Sequence, residues 1–460
     1  MSTPSFGTAG PNAARFSEKF EQVTFNAIRE VLPDDAIVQA CREENHRYRE
    51  RKITPVLTVL HLLLAAIWPE ESFQASWCIM WETLVSHFPE LKGQCPSRGS
   101  VAEARARLPL GVWERLFTWV RQKAEAHSEA FDRWKGHRVV LVDGTCVSMA
   151  DQPELKEAFG VNMGRHGRGR YPLARVVTLC LAGTRVILDY AIGRYTQGEV
   201  ALTFPLLNGL RSGDLLLADR HFAGAHYYVH YQHQSLEFLT RAHQRLKISK
   251  IQRQLQYSGH DFVGKLKINP KYRRADPALP VSISVRFIRA TLRIRGRCRN
   301  VWFVTSLRDA ERYPAAELVA LYAQRWGIET LLREVKIDLS ADVLRSQSAA
   351  GIRKELIARL TALNVVRTII LQAAQAHDID PLRISFVDTL RTLLSFSATL
   401  ASAAALRVPE LYRVMLAEAA AHVVAKRPNR LEPRYLTRER KHYPALRRQT
   451  RAQWKAKHAA

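Results

Sequence analysis

Three carboxylates stand in surroundings that could make them do chemistry. Asp143 closes the apolar run Val139–Val142 and is followed by Gly144 and Thr145, and Asp219 closes Leu215–Ala218 in the same way. Each run reads as a sheet-core strand, so each acid is delivered to a sheet edge, where open α/β folds gather their ligands. An Asp closing a strand is more often a turn former, and neither acid makes a site alone. The third, Glu329, belongs to the spacing Y-x2-R-x3-E-x6-K made by Tyr322, Arg325, Glu329 and Lys336. A helix running on from Pro314 would put these four within an arc of about 60°, at roughly 100° per residue. Leu321, Ile328, Leu332, Val335 and Leu339 would form the adjoining apolar stripe that docks the helix on a sheet. The plainer alternative is an exposed helix face on which Arg325 and Glu329 are an ordinary i,i+4 pair.

The elements that must position these residues follow from the hydrophobic period. Residues up to about Trp134 repeat apolar side chains at helical spacing, as in FEQVTFNAIREVL, ITPVLTVLHLLLAAIW and VAEARARLPLGVWERLFTWVRQKAEA. From His137 the pattern changes to the strand-like runs RVVLVDG, ARVVTLCLAG, RVILDYAIG and DLLLADR. VSISVRFIRATLRIRG and NVWFVTSL read as a β-rich insertion, and helix returns after Pro314, through ELIARLTALNVVRTIILQAAQ and FVDTLRTLLSFSATLASAAAL. The expected class is α/β, in five regions: a helical N-terminal accessory or DNA-binding domain over 1–134, core over 135–240, insertion over 241–308, core again over 309–375, and a helical C-terminal region over 376–460. The tail from Lys426, rich in Arg and Lys, is either a disordered basic arm or a last DNA-contacting helix.

Charge narrows the partners. Sixty-nine Lys and Arg against 43 Asp and Glu leave a formal charge of +26 and a pI near 10.2, a field that draws polyanions, nucleic acid first among them. The basic stretch RYRERK at 47–52 and the Gly-rich segment GRHGRGRYP at 164–172 are candidate backbone contacts. The latter lacks the G-K-[ST] ending of a nucleotide-binding loop and is expected to be a loop. Six cysteines with no C-x-x-C pair suggest neither a zinc site nor a disulfide framework. The first residues carry no signal-peptide blocks and the apolar run Val56–Trp68 is too short to span a bilayer, so a cytoplasmic, nucleoid-associated chain without a membrane partner is expected.

VDGT at 142–145, ADRHF at 218–222 and YAQRWGIETLLREVK at 322–336 together resemble, in order, the motifs of bacterial insertion-sequence transposases of the insertion element 4 family. That family belongs to the DDE group with a ribonuclease H-like core, a mixed sheet flanked by helices. The block SVAEARARLPLGVWERLF is similar to its accessory domain. The resemblance implies that Asp143, Asp219 and Glu329 hold two Mg2+ or Mn2+ ions, hard cations suited to carboxylate oxygens. It implies that Arg325 and Lys336 neutralise phosphates, that Tyr322 touches a phosphate or sugar, and that Trp302 stands where some relatives receive a flipped base; a buried strand Trp is the alternative. His221 departs from the small residue relatives often carry there. Glu199 is a candidate helper beside the acids. The implied activity is cut-and-paste DNA transposition on terminal inverted repeats and target DNA, by a DNA-bound homodimer. Rival readings are a metal-dependent nuclease without strand transfer and a non-catalytic DNA-binding regulator.

Overall fold

The computed structural model describes residues 26–48, 52–68, 72–87, 89–164, 167–294, 297–403 and 405–425. The start of the FEQVTFNAIREVL segment and the basic tail from Lys426 lie outside them. Six helices come first: α1 (Asn26–Val31), α2 (Asp34–Glu43), α3 (Pro55–Ile67), α4 (Phe73–His87), α5 (Arg98–Arg107) and α6 (Leu110–Ser128). The Thr54 hydroxyl accepts the Leu57 amide at 3.2 Å and Pro55 takes the first position of α3, a residue pair that starts a helix cleanly. On α6, Val112, Trp113, Leu116, Phe117, Val120 and Ala124 are buried at helical spacing, the stripe expected of a helix with one face in the core.

The sheet begins with β1 (Arg133–Trp134) and β2 (His137–Met149), then α7 (Pro153–Phe159), β3 (Val161–Gly164), β4 (Gly167–Leu181) and β5 (Ile187–Arg194). Next come α8 (Glu199–Leu207), β6 (Leu215–Ala218), α9 (Ala225–His233) and β7 (Glu237–Arg241). Strands β5, β4, β2, β6 and β7 are hydrogen-bonded neighbours in that order, antiparallel from β5 to β2 and parallel from β2 to β7. This is the expected ribonuclease H-like arrangement. The insertion supplies β8 (Gln252–Ser258), β9 (Asp261–Lys267), α10 (Pro270–Ala275), β10 (Ser282–Ile294) and β11 (Arg297–Thr305). Its strands continue the same sheet, because β11 pairs antiparallel with β7.

After the insertion follow α11 (Ala315–Tyr322), α12 (Trp326–Arg333), β12 (Val343–Leu344), α13 (Ala349–His377), α14 (Phe386–Ser402) and α15 (Val408–Ala421). Residues through Val424 form one compact unit. Alternation along β2 divides its side chains: Val139 and Leu141 join the core under the helices, while Val140 and Val142 join the core on the other face. Helix α13 is long and apolar enough to cross a bilayer, yet 94% of its most apolar window is buried in protein, which makes it the central core helix.

Two expectations are corrected. The described residues of 164–172 are strand: Gly164 ends β3 and Gly167 opens β4, and the two strands pair antiparallel. The single helix expected from Pro314 is broken by a 3-10 turn at Ala323–Arg325 and ends in a π turn at Glu334–Asp338. The widened turn buries both Glu334 and Val335, so an acid enters the core there alongside the apolar stripe.

Candidate active site

Backbone register places the two aspartates. The parallel pairs Val139↔Leu215, Val140↔Leu216 and Leu141↔Leu217 keep a constant offset, and two more residues along each chain bring Asp143 beside Asp219. Both acids share the strand parity of Leu141 and Leu217, which face the core under the helices. Strand β2 runs on to Met149, but its burial falls away after Val142, so Asp143 leaves the core in mid-strand. Its Oδ1 accepts the Gly144 amide at 2.8 Å. Asp219 caps a 3-10 turn, its Oδ1 accepting the His221 amide at 2.6 Å. Burial raises the Asp143 pKa to about 6, opposed by the Gly144 amide and Arg325 and reinforced by the negative charge of Asp219 and Glu199.

Helix α12 carries Glu329 and docks on β2 through buried Ile328, Leu331 and Leu332, with Gly327 facing Leu141. Arg325 donates to Glu329 Oε1 at 2.6 Å and reaches Asp143 Oδ2 at 3.9 Å, so Glu329 is turned toward the guanidinium. Tyr322 is buried, edge-on to Phe303, and its hydroxyl donates to the carbonyl of Ala218 at 3.3 Å. It thereby ties the helix to the residue before Asp219. Lys336 sits on the π turn, 3.3 Å from Asp342. Trp302 is half-buried, edge-on to Phe262, and packs on the core face opposite to Tyr322.

A fourth carboxylate joins this group. A Cβ built on Gly144 would lie 2.7 Å from Glu199 Cδ, so the bare backbone of Gly144 is what lets Glu199 approach. Arg175 of β4 donates to Glu199 Oε1, and His221 Nε2 lies 3.9 Å from Glu199 Oε2. Arg175 carried no motif signal, whereas an invitation to examine Gly144 was present in VDGT.

Beneath the π turn lies an ionic clamp that none of the sequence motifs includes as a unit. Glu334, buried, accepts from Arg367 of α13 through Oε2, and Arg185 stands 3.4 Å from its Oε1. At the turn's other end Arg359 donates to the Leu339 carbonyl and to Glu355, whose oxygens accept the amides of Arg345 and Ser346. The available signal was an acid lying between the apolar positions Leu332 and Val335. Two buried ion pairs of α13 therefore fix where the segment bearing Glu329 ends.

Among the described residues no three His, Cys, Asp or Glu side chains converge closely enough to hold an ion, and Glu329 is engaged by Arg325. The chemistry of the donor set nevertheless fits a hard divalent cation: Asp143, Asp219 and Glu329 offer carboxylate oxygens, and the half-buried Asp143 has its charge disfavoured by burial.

A ribonuclease H-like sheet with acids delivered by two parallel strands and a third on a docked helix is the arrangement expected of the DDE class. Residues 134–365 match the transposase DDE domain family, half of the chain, and the chain belongs to that family. It is 26% identical to the transposase InsG for insertion sequence element IS4 of Escherichia coli (strain K12), over 75% of this chain and 77% of that one. It is also 29% identical to InsZ of the same strain over 27% of this chain and 42% of that one. Transposases of the DDE class act on DNA and generally use divalent metal ions, and membership of that family makes this protein a DDE transposase.

Proposed function

We propose that this transposase frees a 3′-OH at each end of its element and joins it to target DNA, with Asp143, Asp219 and Glu329 as ligands of two Mg2+ or Mn2+ ions. The observation that carries the reading is the shared register of β2 and β6, which sets two acids side by side under the helix bearing the third. The cations would supply positive charge to the attacking and leaving oxygens of an in-line displacement.

The chain's own groups do the rest. Glu329 must leave Arg325 to join the aspartates, and Arg325 is then free to meet a phosphate near the scissile bond. Lys336 adds a second phosphate contact. Tyr322 holds the Ala218 carbonyl and so the approach to Asp219; a phosphate or sugar would meet only its edge. Trp302, on the other face, would receive a base from the insertion's side. Glu199, held by Arg175, keeps Asp143 in a field that favours cation binding. In the first step a water oxygen joins phosphorus as the P–O3′ bond breaks, leaving 3′-OH and 5′-phosphate. In the second that 3′ oxygen joins a target phosphorus as the target's own P–O3′ bond breaks. No bond to the protein forms.

Asp143→Asn should abolish cleavage of element-end DNA while leaving end binding intact; undiminished cleavage would remove Asp143 from the reaction. Short inverted repeats flanking the gene would provide the probe. Joined products separate a transposase from a plain nuclease, and metal-dependent cleavage excludes a regulator that only binds. The paired-end complex is read as a homodimer acting in the cytoplasm at the nucleoid, and light scattering giving one protomer per paired-end complex would refute the dimer.

A further inference from the structure

Helix α2 ends at Glu43; two residues on, Asn45 has a left-handed φ of 51°, and the chain turns so that His46, Arg47 and Tyr48 line a cavity of about 250 Å³ against α3 and α5. Arg107 closes its other side, and Ile53 and Leu108 are among its apolar walls. Among the described residues no acidic side chain lines it. Arg47 is exposed and has no hydrogen-bond or ion-pair partner among the described residues, while Arg107 makes one exposed pair, 3.3 Å from Glu103.

The ionisable side chains that line the cavity, among the described residues, are all basic. Lys354 of α13 comes up from below, donating to the Ala106 and Arg105 carbonyls at 2.8 and 3.3 Å. The imidazole of His46 is held below its ordinary pKa by burial and by the charges of Arg107 and Lys354. Two guanidiniums, an imidazole and an aromatic ring lining one cavity are groups that take a phosphate and the planar unit attached to it. The volume sits just under the roughly 300 Å³ at which ligand pockets begin, which suits one nucleotide unit. None of these residues belongs to the carboxylate site.

We propose that the cavity between the end of α2 and the ends of α3 and α5 is a phosphate-binding site, with Arg47 and Arg107 as its anion contacts and Tyr48 as a stacking wall. It deepens the reading of the N-terminal helices as a DNA-binding region and rests on that reading only for the source of the phosphate.

The full-length chain is titrated by fluorescence anisotropy with a short labelled duplex of arbitrary sequence across a salt series, and separately by calorimetry with adenosine monophosphate. The Arg47→Ala/Arg107→Ala double variant should lower the slope of log affinity against log salt by about 1.8, that is about 0.9 for each lost phosphate contact, and Arg47→Lys/Arg107→Lys should restore it. A changed duplex slope identifies DNA as the source; loss of monophosphate binding with the slope unchanged identifies a free nucleotide. If neither probe distinguishes the double variant from the parent, the site is refuted. Asp143→Asn, measured in parallel, should leave the slope alone while removing cleavage, so failure of the pocket and failure of the catalytic assignment are read separately.

Discussion

Arg325 bridges two of the three acids, one guanidinium nitrogen 2.6 Å from Glu329 Oε1 and the other 3.9 Å from Asp143 Oδ2. The arginine is thus a built-in competitor for any cation those carboxylates take. Arg325→Ala should tighten Mn2+ binding to the DNA-free protein about fivefold or more, since a unit charge at about 4 Å is worth about 1 kcal/mol even in bulk water. Cleavage should fall at the same time, because the phosphate contact is lost. Calorimetric titration showing equal Mn2+ affinity in both proteins would dismiss the competition.

Gly144 is the second point of leverage. Its absent side chain is where Glu199 sits, with 2.7 Å between a built Cβ and Glu199 Cδ. Gly144→Ala should push Glu199 off and reduce cleavage roughly as Glu199→Gln does, about tenfold to a hundredfold if Glu199 supports the acids as outer partners of metal sites do. The double variant should be little worse than either single one. Additive losses in a cleavage assay would show the two residues acting apart.

The clamp on the π turn gives a stability signature. Arg367→Met leaves Glu334 buried with only the longer Arg185 contact, and breaking a buried pair costs about 3–5 kcal/mol. Glu334→Leu combined with Arg367→Met should regain most of that, because no pair is left half-made. Urea midpoints that drop equally for the single and double variants would show that the pair is not a unit.

Asp132 supplies a pH dependence. It is buried, and burial raises its pKa to about 7 against the ordinary 3.8, with the Thr184 and Ser128 hydroxyls pulling the other way. Below the ordinary value the acid is protonated in folded and unfolded chains alike and costs nothing. As pH rises toward 7 the folded chain holds a proton the unfolded chain has lost, so stability falls across that window. Asp132→Asn should therefore stabilise on the order of 4 kcal/mol at pH 8 and almost nothing at pH 4. Equal gains at both pH values in thermal melts would show that the carboxyl is not the titrating group.

Much of this was written in the chain. Continuous apolar runs ending in Asp143 and Asp219 marked sheet-core strands, which the structure pairs as parallel neighbours, and the spacing from Arg325 to Glu329 survives as a bonded pair. What stayed hidden is tertiary. A 100° wheel assumes one unbroken helix, and the sequence from Tyr322 to Lys336 holds no Pro or extra Gly near the turns that break it other than Gly327. The π turn coincides with Glu334 meeting Arg367, a residue 33 positions away. Likewise GRHGRGRYP looked like a loop because its glycines and arginines mask the alternation of two paired strands.

The pairing of β2 with β6 has a consequence for how such a chain can change. Because the spacing between two reacting groups is inherited from main-chain ladders, apolar residues at 139–142 can be exchanged for one another at little chemical cost. Adding or deleting a single amino acid in that stretch would instead rotate one oxygen donor to the far side of the sheet. Lineages descended from this gene should therefore tolerate substitution there freely and length variation not at all.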